Sequence, residues 1–153
     1  EGVGPRRAER VAAGLALAGR LLRERRPERP RLRVSQDVFA CLHLEMRDLG
    51  GEVFEVLSLD ARNRLRRRSR ISVGTLTASL VHPREVFRPA IAVRAAAIVL
   101  AHNHPSGDPE PSAEDRAITD RVVSAGDILG IRVLDHVVVG DGVYVSFADR
   151  GWI

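Results

Sequence analysis

The chain has no lysine: all 24 of its basic residues are arginine, a usage that fits a GC-rich coding sequence. It has one cysteine, Cys41. A single thiol excludes an internal disulfide framework and points to a reducing, cytoplasmic setting. Cys41 stands in the apolar-rich stretch VFACLHLEM, which suits a buried core thiol better than a nucleophile. No apolar run is long enough to cross a bilayer, so no membrane partner is expected. Residues 1–26 are charged throughout and lack an uninterrupted apolar core, so no secretory signal is expected there. Internal repeats and low-complexity segments are missing as well.

What is there is enough for one domain with an appendage. The chain has 153 residues, 44% of them hydrophobic, and can bury a real core. The net charge is only +4. The basic excess is gathered in two places, RLLRERRPERPRLR (20–33) and RNRLRRRSR (62–70). Such clusters can hold phosphate backbones without reading sequence, which would make nonspecific DNA a partner. They serve equally well as a solvated linker and a charged strand edge.

Along the chain, Val11, Leu15, Ala18 and Leu22 recur at helical spacing, so residues 6–25 read as an amphipathic helix with Pro5 in its first turn. Gly2 and Gly4 permit a tight turn before it. A Gly-hydrophobic-Gly turn that opens a helix is the hairpin of a helix-hairpin-helix motif, in which backbone amides meet phosphate. Residues 1–26 would hold the turn and second helix of such a motif, and 27–33 form an Arg/Pro-rich linker. Ser35 can cap a helix that runs to about Asp48, where LGG ends it. EVFEVLSLD (52–60) alternates as a strand. Residues 64–81 read as one long or two short strands interrupted at Gly74. Residues 83–95 read as a helix despite Pro89, and 95–104 as a strand buried on both faces. A helix over 112–129 stops at Gly130, and IRVLDHVVVG with VYVSF makes a final hairpin around GDG. From Ser35 onward the order is α-β-β-α-β-α-β-β, an α/β sheet with helices packed on it.

One stretch carries chemistry: AHNHPSGDPEPSAED (101–115). His102 and His104 lie two apart at a strand end, so both imidazoles share one face. Ser112 is placed as the N-cap of the next helix, and Asp115 falls in its first turn. If the loop between folds back, the carboxylate can meet both rings. Two imidazoles and one carboxylate suit Zn²⁺, and three protein ligands leave a fourth position open, as catalytic sites do. Taken alone, Ser112 with Asp115 is also a plain capping box, and HxH alone is weak evidence. The joint pattern H-x-H-P-x₆-S-x₂-D, after a buried strand and into a helix, favours the metal. A purely structural metal site is disfavoured, since no fourth protein ligand is apparent.

That pattern resembles the signature of JAMM (MPN-type) metalloproteases. The fuller text, HPREVF, HNHPSGDPEPSAED and LDHVVVGDG, closely resembles the RadC family from about Glu52 to the C-terminus. The resemblance implies a JAMM/MPN-like (cytidine-deaminase-like) mixed sheet with flanking helices over 34–153, preceded by the partial helix-hairpin-helix segment. It implies zinc held by His102, His104 and Asp115, with Ser112 as the hydroxyl on the oxyanion side. The pattern also calls for a glutamate at the start of an earlier strand, a place that Glu52 occupies. Its role would be to hold the attacking water and take its proton. Glu85 in PREVF is the rival, disfavoured because it sits in a helix; Glu55, inside a strand, reads as a solvated side chain. His136 in LDH either orients a ligand or is a satisfied buried histidine. His43 and His82 belong to no motif, and Asn103 and Ser106 shape the site or only make the turn. The activity implied is hydrolysis of a peptide or isopeptide bond in an unidentified peptide or protein substrate, in a family linked by name to DNA repair. The alternative is a DNA-associated module, either a nucleic-acid hydrolase or a binding protein without catalysis.

Overall fold

Five strands form one mixed sheet in a computed structural model that describes residues 4–24, 29–74 and 81–153. The elements are α1 (Pro5–Glu24), α2 (Ser35–Met46), β1 (Val53–Leu59), β2 (Leu65–Val73), α3 (Pro83–Ala92), β3 (Ala97–Asn103), α4 (Ala113–Leu129), β4 (Arg132–Val139) and β5 (Tyr144–Ser146). The strand order is β2-β1-β3-β4-β5, antiparallel except for the β3–β4 pair. Parallel neighbours need a crossover. Helix α4 is that crossover, and it joins the end of β3 to the start of β4.

Strands β1 and β3 are buried at every position, as central strands covered on both faces must be. Alternate residues feed two cores. On one face Phe54, Val56, Ile98 and Leu100 pack against α3 and α4 through Phe87, Ile118 and Val122. On the other Leu57, Leu59, Val99, Val137 and Val139 pack against α2 through Val38, Leu42 and Met46. Each such apolar side chain contributes roughly 1.5–3 kcal/mol when fully buried. Cys41 lies half-buried at the edge of the second core, and burial pushes its thiol up from the ordinary value.

Helix ends follow local chemistry. Ser112 caps α4, and Gly130 ends it in the left-handed conformation, φ 66°. His82, which belongs to no motif, is the N-cap of α3, where its Nδ1 accepts from the Arg84 amide at 3.1 Å. The cap expected of Ser35 is not made. Val34 holds the N-cap position, and the Asp37 carboxylate takes the Arg33 and Val34 amides at 2.7 and 3.3 Å. Ser35 instead binds the Asp149 carboxylate at 2.6 Å and meets the Tyr144 hydroxyl at 3.1 Å. A distant carboxylate thus took the hydroxyl that a cap would use.

At the N-terminus, the Gly4 carbonyl accepts from Arg7 and Ala8 at 2.9 and 3.1 Å, which starts α1. Val11 and Leu15 of its apolar stripe are exposed, at 59% and 70%; the side chains of Ala18 and Leu22 lie outside the described residues, as does Gly2. Residues 27 and 28 of the linker are likewise outside them, but Leu32 at its end is buried in the α2-side core, and Arg31 bridges Arg64. Strand β2 stops at Val73 before Gly74, whose φ is 106°. The second short strand considered beyond that point falls in 75–80, outside the described residues. Among the described residues, no helix is long and apolar enough to cross a membrane.

Candidate metal centre

His102 lies near the end of β3 and His104 just beyond that end, and period-two geometry turns both rings to the α4 side. His102 is fully buried and His104 partly so. The loop from Pro105 to Pro111 then reverses the chain. Gly107, at φ 84°, donates its amide to the His104 carbonyl at 3.0 Å, and its own carbonyl accepts from Asp141 at 3.0 Å. This brings the loop against the β4–β5 turn so closely that a Cβ on Gly140 would sit 2.3 Å from Gly107 O. Ser106 serves the turn, accepting the Asp108 amide at 3.3 Å. At the far end Arg150 grips the Glu110 carboxylate with two bonds of 3.0 and 2.9 Å.

The reversal delivers Asp115 to the two rings. His102 Nε2 stands 3.0 Å from His104 Nε2, 3.3 Å separates His102 Nε2 from Asp115 Oδ1, and 3.5 Å separates His104 Nε2 from Asp115 Oδ2. One ligand atom from each residue fits within a 4.8 Å cluster. Donors around one tetrahedral ion with bonds near 2.0–2.1 Å lie roughly 3.3 Å apart, so the spacing fits. The ring orientation fits as well. His104 Nδ1 meets the Asp108 carbonyl at 2.8 Å. A carbonyl only accepts, so the neutral ring carries its proton on Nδ1 and aims the Nε2 lone pair at the centre. Two imidazole nitrogens and a carboxylate oxygen facing one point form a donor set that can hold a metal.

The capping box is present too, and it is built from the same residues. Ser112 Oγ accepts the Asp115 amide at 3.1 Å, while Asp115 Oδ2 accepts from the Ser112 amide at 2.8 Å and its hydroxyl at 2.7 Å. Capping therefore occupies Oδ2 and leaves Oδ1 as the freer donor toward the rings. Burial alone would raise the Asp115 carboxyl, but His102, His104 and Ser112 hold it well below the usual carboxylate range. The bond to Asp115 raises His104 above its ordinary value, against an opposing effect of burial, with added support from the Asp108 carbonyl and the charges of Asp115 and Glu52.

Glu52 precedes β1 and is partly buried. Phe54, opposite His102, is the first β1 residue in the β1–β3 ladder, and Glu52 stands two residues before it, where its charge acts on His104. Asn103 fixes that end of β1: its Oδ1 accepts the Val53 amide at 2.8 Å, and its Nδ2 donates to the Gly51 carbonyl at 3.2 Å. Glu85 sits in the first turn of α3, paired with Arg84 and Arg88 at 3.1 Å each, and it is not among the residues gathered here.

The solvated role expected for Glu55 is wrong. Glu55 is 2% exposed and is bound by Arg68 and, at 3.4 Å, by Arg70. Because β1 is covered on both faces, neither face offered a wet position, and the edge strand supplies the counter-charge.

His136 does more than fill the core. Its Nε2 is 2.9 Å from His102 Nδ1, and its Nδ1 is 2.6 Å from Thr119 Oγ1. Full burial lowers its basicity well below the ordinary histidine value, and the neighbouring charge of His102 acts the same way. Thr119 was not foreseen from sequence. Its one signal is the spacing of four residues from Asp115, which sets both on one helix face.

The family profile described as "RadC-like JAB domain" matches residues 32–152. Proteins named "UPF0758 protein" from Pelobacter propionicus and Geotalea uraniireducens are each 50% identical over 151 residues. One from Methanosarcina mazei is 43% identical over 154 residues. Each match covers 99% of this chain and 66% of the relative, so the chain spans just under two thirds of the length of these relatives.

Proposed function

We propose that this chain, which belongs to the RadC-like JAB domain family, is a zinc-dependent hydrolase that cleaves an amide bond, as a peptidase or isopeptidase. The observation that carries the reading is the convergence of His102 Nε2, His104 Nε2 and the Asp115 carboxylate within 4.8 Å. Zinc, when bound there, supplies a Lewis acid that polarises water and a substrate carbonyl. His102, His104 and Asp115 would hold it, Asp115 through Oδ1. Glu52, whose charge acts on His104, takes a proton from the attacking water as the new C–O bond forms. It returns that proton to the amine nitrogen as the C–N bond breaks. The Ser112 hydroxyl, which binds Asp115 Oδ2 at 2.7 Å, turns its proton toward the carbonyl oxygen as charge grows there.

The test sets two glutamates side by side on a panel of peptide and isopeptide substrates. Glu52→Gln keeps the shape but cannot accept a proton. It is expected to retain fold and zinc and to lose activity by about 10²–10⁴-fold. Glu85→Gln, an ion-pair change in α3, is expected to leave activity near that of the parent. Full activity in Glu52→Gln, or a loss confined to Glu85→Gln, would move the base elsewhere.

A second reading, a DNA-associated module with a role in repair, has one observation in its favour. A cleft of about 260 Å³ between β2 and α3 is lined by Arg67, Arg70 and Arg88, together with Ser69 and Glu85. Guanidinium groups brought to one cleft from β2 and α3 suit phosphates. Affinity for duplex DNA, followed by fluorescence, should fall steeply as salt rises. Absence of binding at low salt would leave the arginines as a solvated edge.

A further inference from the structure

His102 on β3 and Asp115 on α4 come from different elements, and a chain of hydrogen bonds ties them together behind the site. It starts at the Asp115 backbone carbonyl, which Thr119 Oγ1 approaches at 2.6 Å. Thr119 Oγ1 is also 2.6 Å from His136 Nδ1, and His136 Nε2 is 2.9 Å from His102 Nδ1. Thr119, His136 and His102 are each 0% exposed, so water cannot substitute for a lost partner. The rings are also fixed in place: His136 stacks on Phe147 with centroids 4.8 Å apart and meets the edge of Phe54 at 5.4 Å.

The direction of these bonds follows from the carbonyl. A carbonyl can only accept, so the 2.6 Å contact requires the Thr119 hydroxyl to donate to Asp115 O. The hydroxyl proton is then used, and Thr119 Oγ1 accepts from His136 Nδ1–H. An uncharged His136 with its proton on Nδ1 offers a lone pair at Nε2. His102 Nδ1 must then donate to it, which leaves the lone pair of His102 on Nε2, facing Asp115 and His104. Reversing the chain would send the Thr119 proton to His136 and press two bare oxygens together at 2.6 Å.

We propose that Thr119 and His136 are positioning residues that set the tautomer of His102, so that its Nε2 is always presented as a metal ligand. The inference rests on the metal reading of the site. It assigns Thr119 a role that packing alone would not give, because the hydroxyl on α4 decides which nitrogen of a ring on β3 carries a proton. Since the relay begins on the backbone of Asp115, two ligands on separate elements are tied to one hydrogen-bond circuit.

The experiment combines ¹⁵N NMR of the histidine rings in the metal-free chain with zinc titration of the same protein. In the parent, His136 and His102 should both be protonated on Nδ1. Thr119→Val keeps the volume and removes the hydroxyl. The buried His136 Nδ1–H then has no acceptor, so the proton is expected on Nε2. His102 should shift its own proton to Nε2, and zinc affinity should fall by about 10–100-fold, the range for lost outer partners. Thr119→Ser should match the parent in both readouts. The proposal is overturned by an Nε2-protonated His102 in the parent, by unchanged tautomers and affinity in Thr119→Val, or by Thr119→Ser behaving like Thr119→Val. If Thr119→Val does not fold, the parent tautomers and Thr119→Ser still decide. A parent that takes up no zinc refutes the metal reading, while its ring spectra continue to test the relay.

Discussion

The two faces of the sheet bury similar polar groups and leave them in opposite conditions. On the α2 face, Glu55 is bound by Arg68 and Arg70, and Asp135 accepts from the Ser146 hydroxyl at 2.7 Å and the Ala148 and His136 amides at 2.9 and 2.7 Å. Each of these carboxylates has its partners inside the protein. Asp135 keeps a raised pKa, mainly through burial and despite those bonds. On the α4 face, the bonds run around the back of the rings and leave lone pairs of His102, His104 and Asp115 aimed at one point. A buried polar group whose partners are complete stabilises the fold. Groups whose partners hold them toward a shared point make a site. The difference lies in direction rather than in residue type, since both faces use carboxylates and cationic or imidazole groups.

That contrast can be broken at either face. The largest effect is expected on the α4 face: His104→Ala should abolish stoichiometric zinc uptake in elemental analysis while the fold, read by circular dichroism, persists. Full zinc in that variant would remove His104 from the ligand set. A smaller effect of another kind is expected on the α2 face. Glu55→Gln weakens two charge-assisted bonds and should lower unfolding stability by about 1.5–3 kcal/mol in a denaturant titration, with zinc content per folded chain unchanged. Loss of zinc in Glu55→Gln would show that the two faces are not independent.

The gathering of His102, His104 and Asp115 was legible because its signals are local. The spacing of His102 and His104 meets the strand period, and Ser112 to Asp115 meets the first helical turn, so sequence neighbours become spatial neighbours. Glu52 was nominated only through the family resemblance, and it stands two residues before Phe54, the first β1 residue in the β1–β3 ladder. Glu55 was misread because an alternating stretch looks half-wet, whereas β1 lies between β2 and β3 and is covered on both sides. The cap at Ser35 failed because Asp149, 114 residues away, takes its hydroxyl. Thr119 was missed, and His136 stayed open between orienting a ligand and filling the core, for the same reason: the relay joins β3, β4 and α4, and no local window contains it. From Ser35 onward the order of the described elements was readable, since buried strands, the Ser112 cap and the Gly130 stop are local features.

The central claim, that one face assembles a metal centre from two imidazoles and a carboxylate, is tested most directly by X-ray absorption on the zinc-loaded chain. The account predicts one zinc with two imidazole scatterers and the remaining light ligands at about 2.0–2.2 Å, and no sulfur. A sulfur scatterer from Cys41, or a shell of oxygens without imidazole, would contradict it.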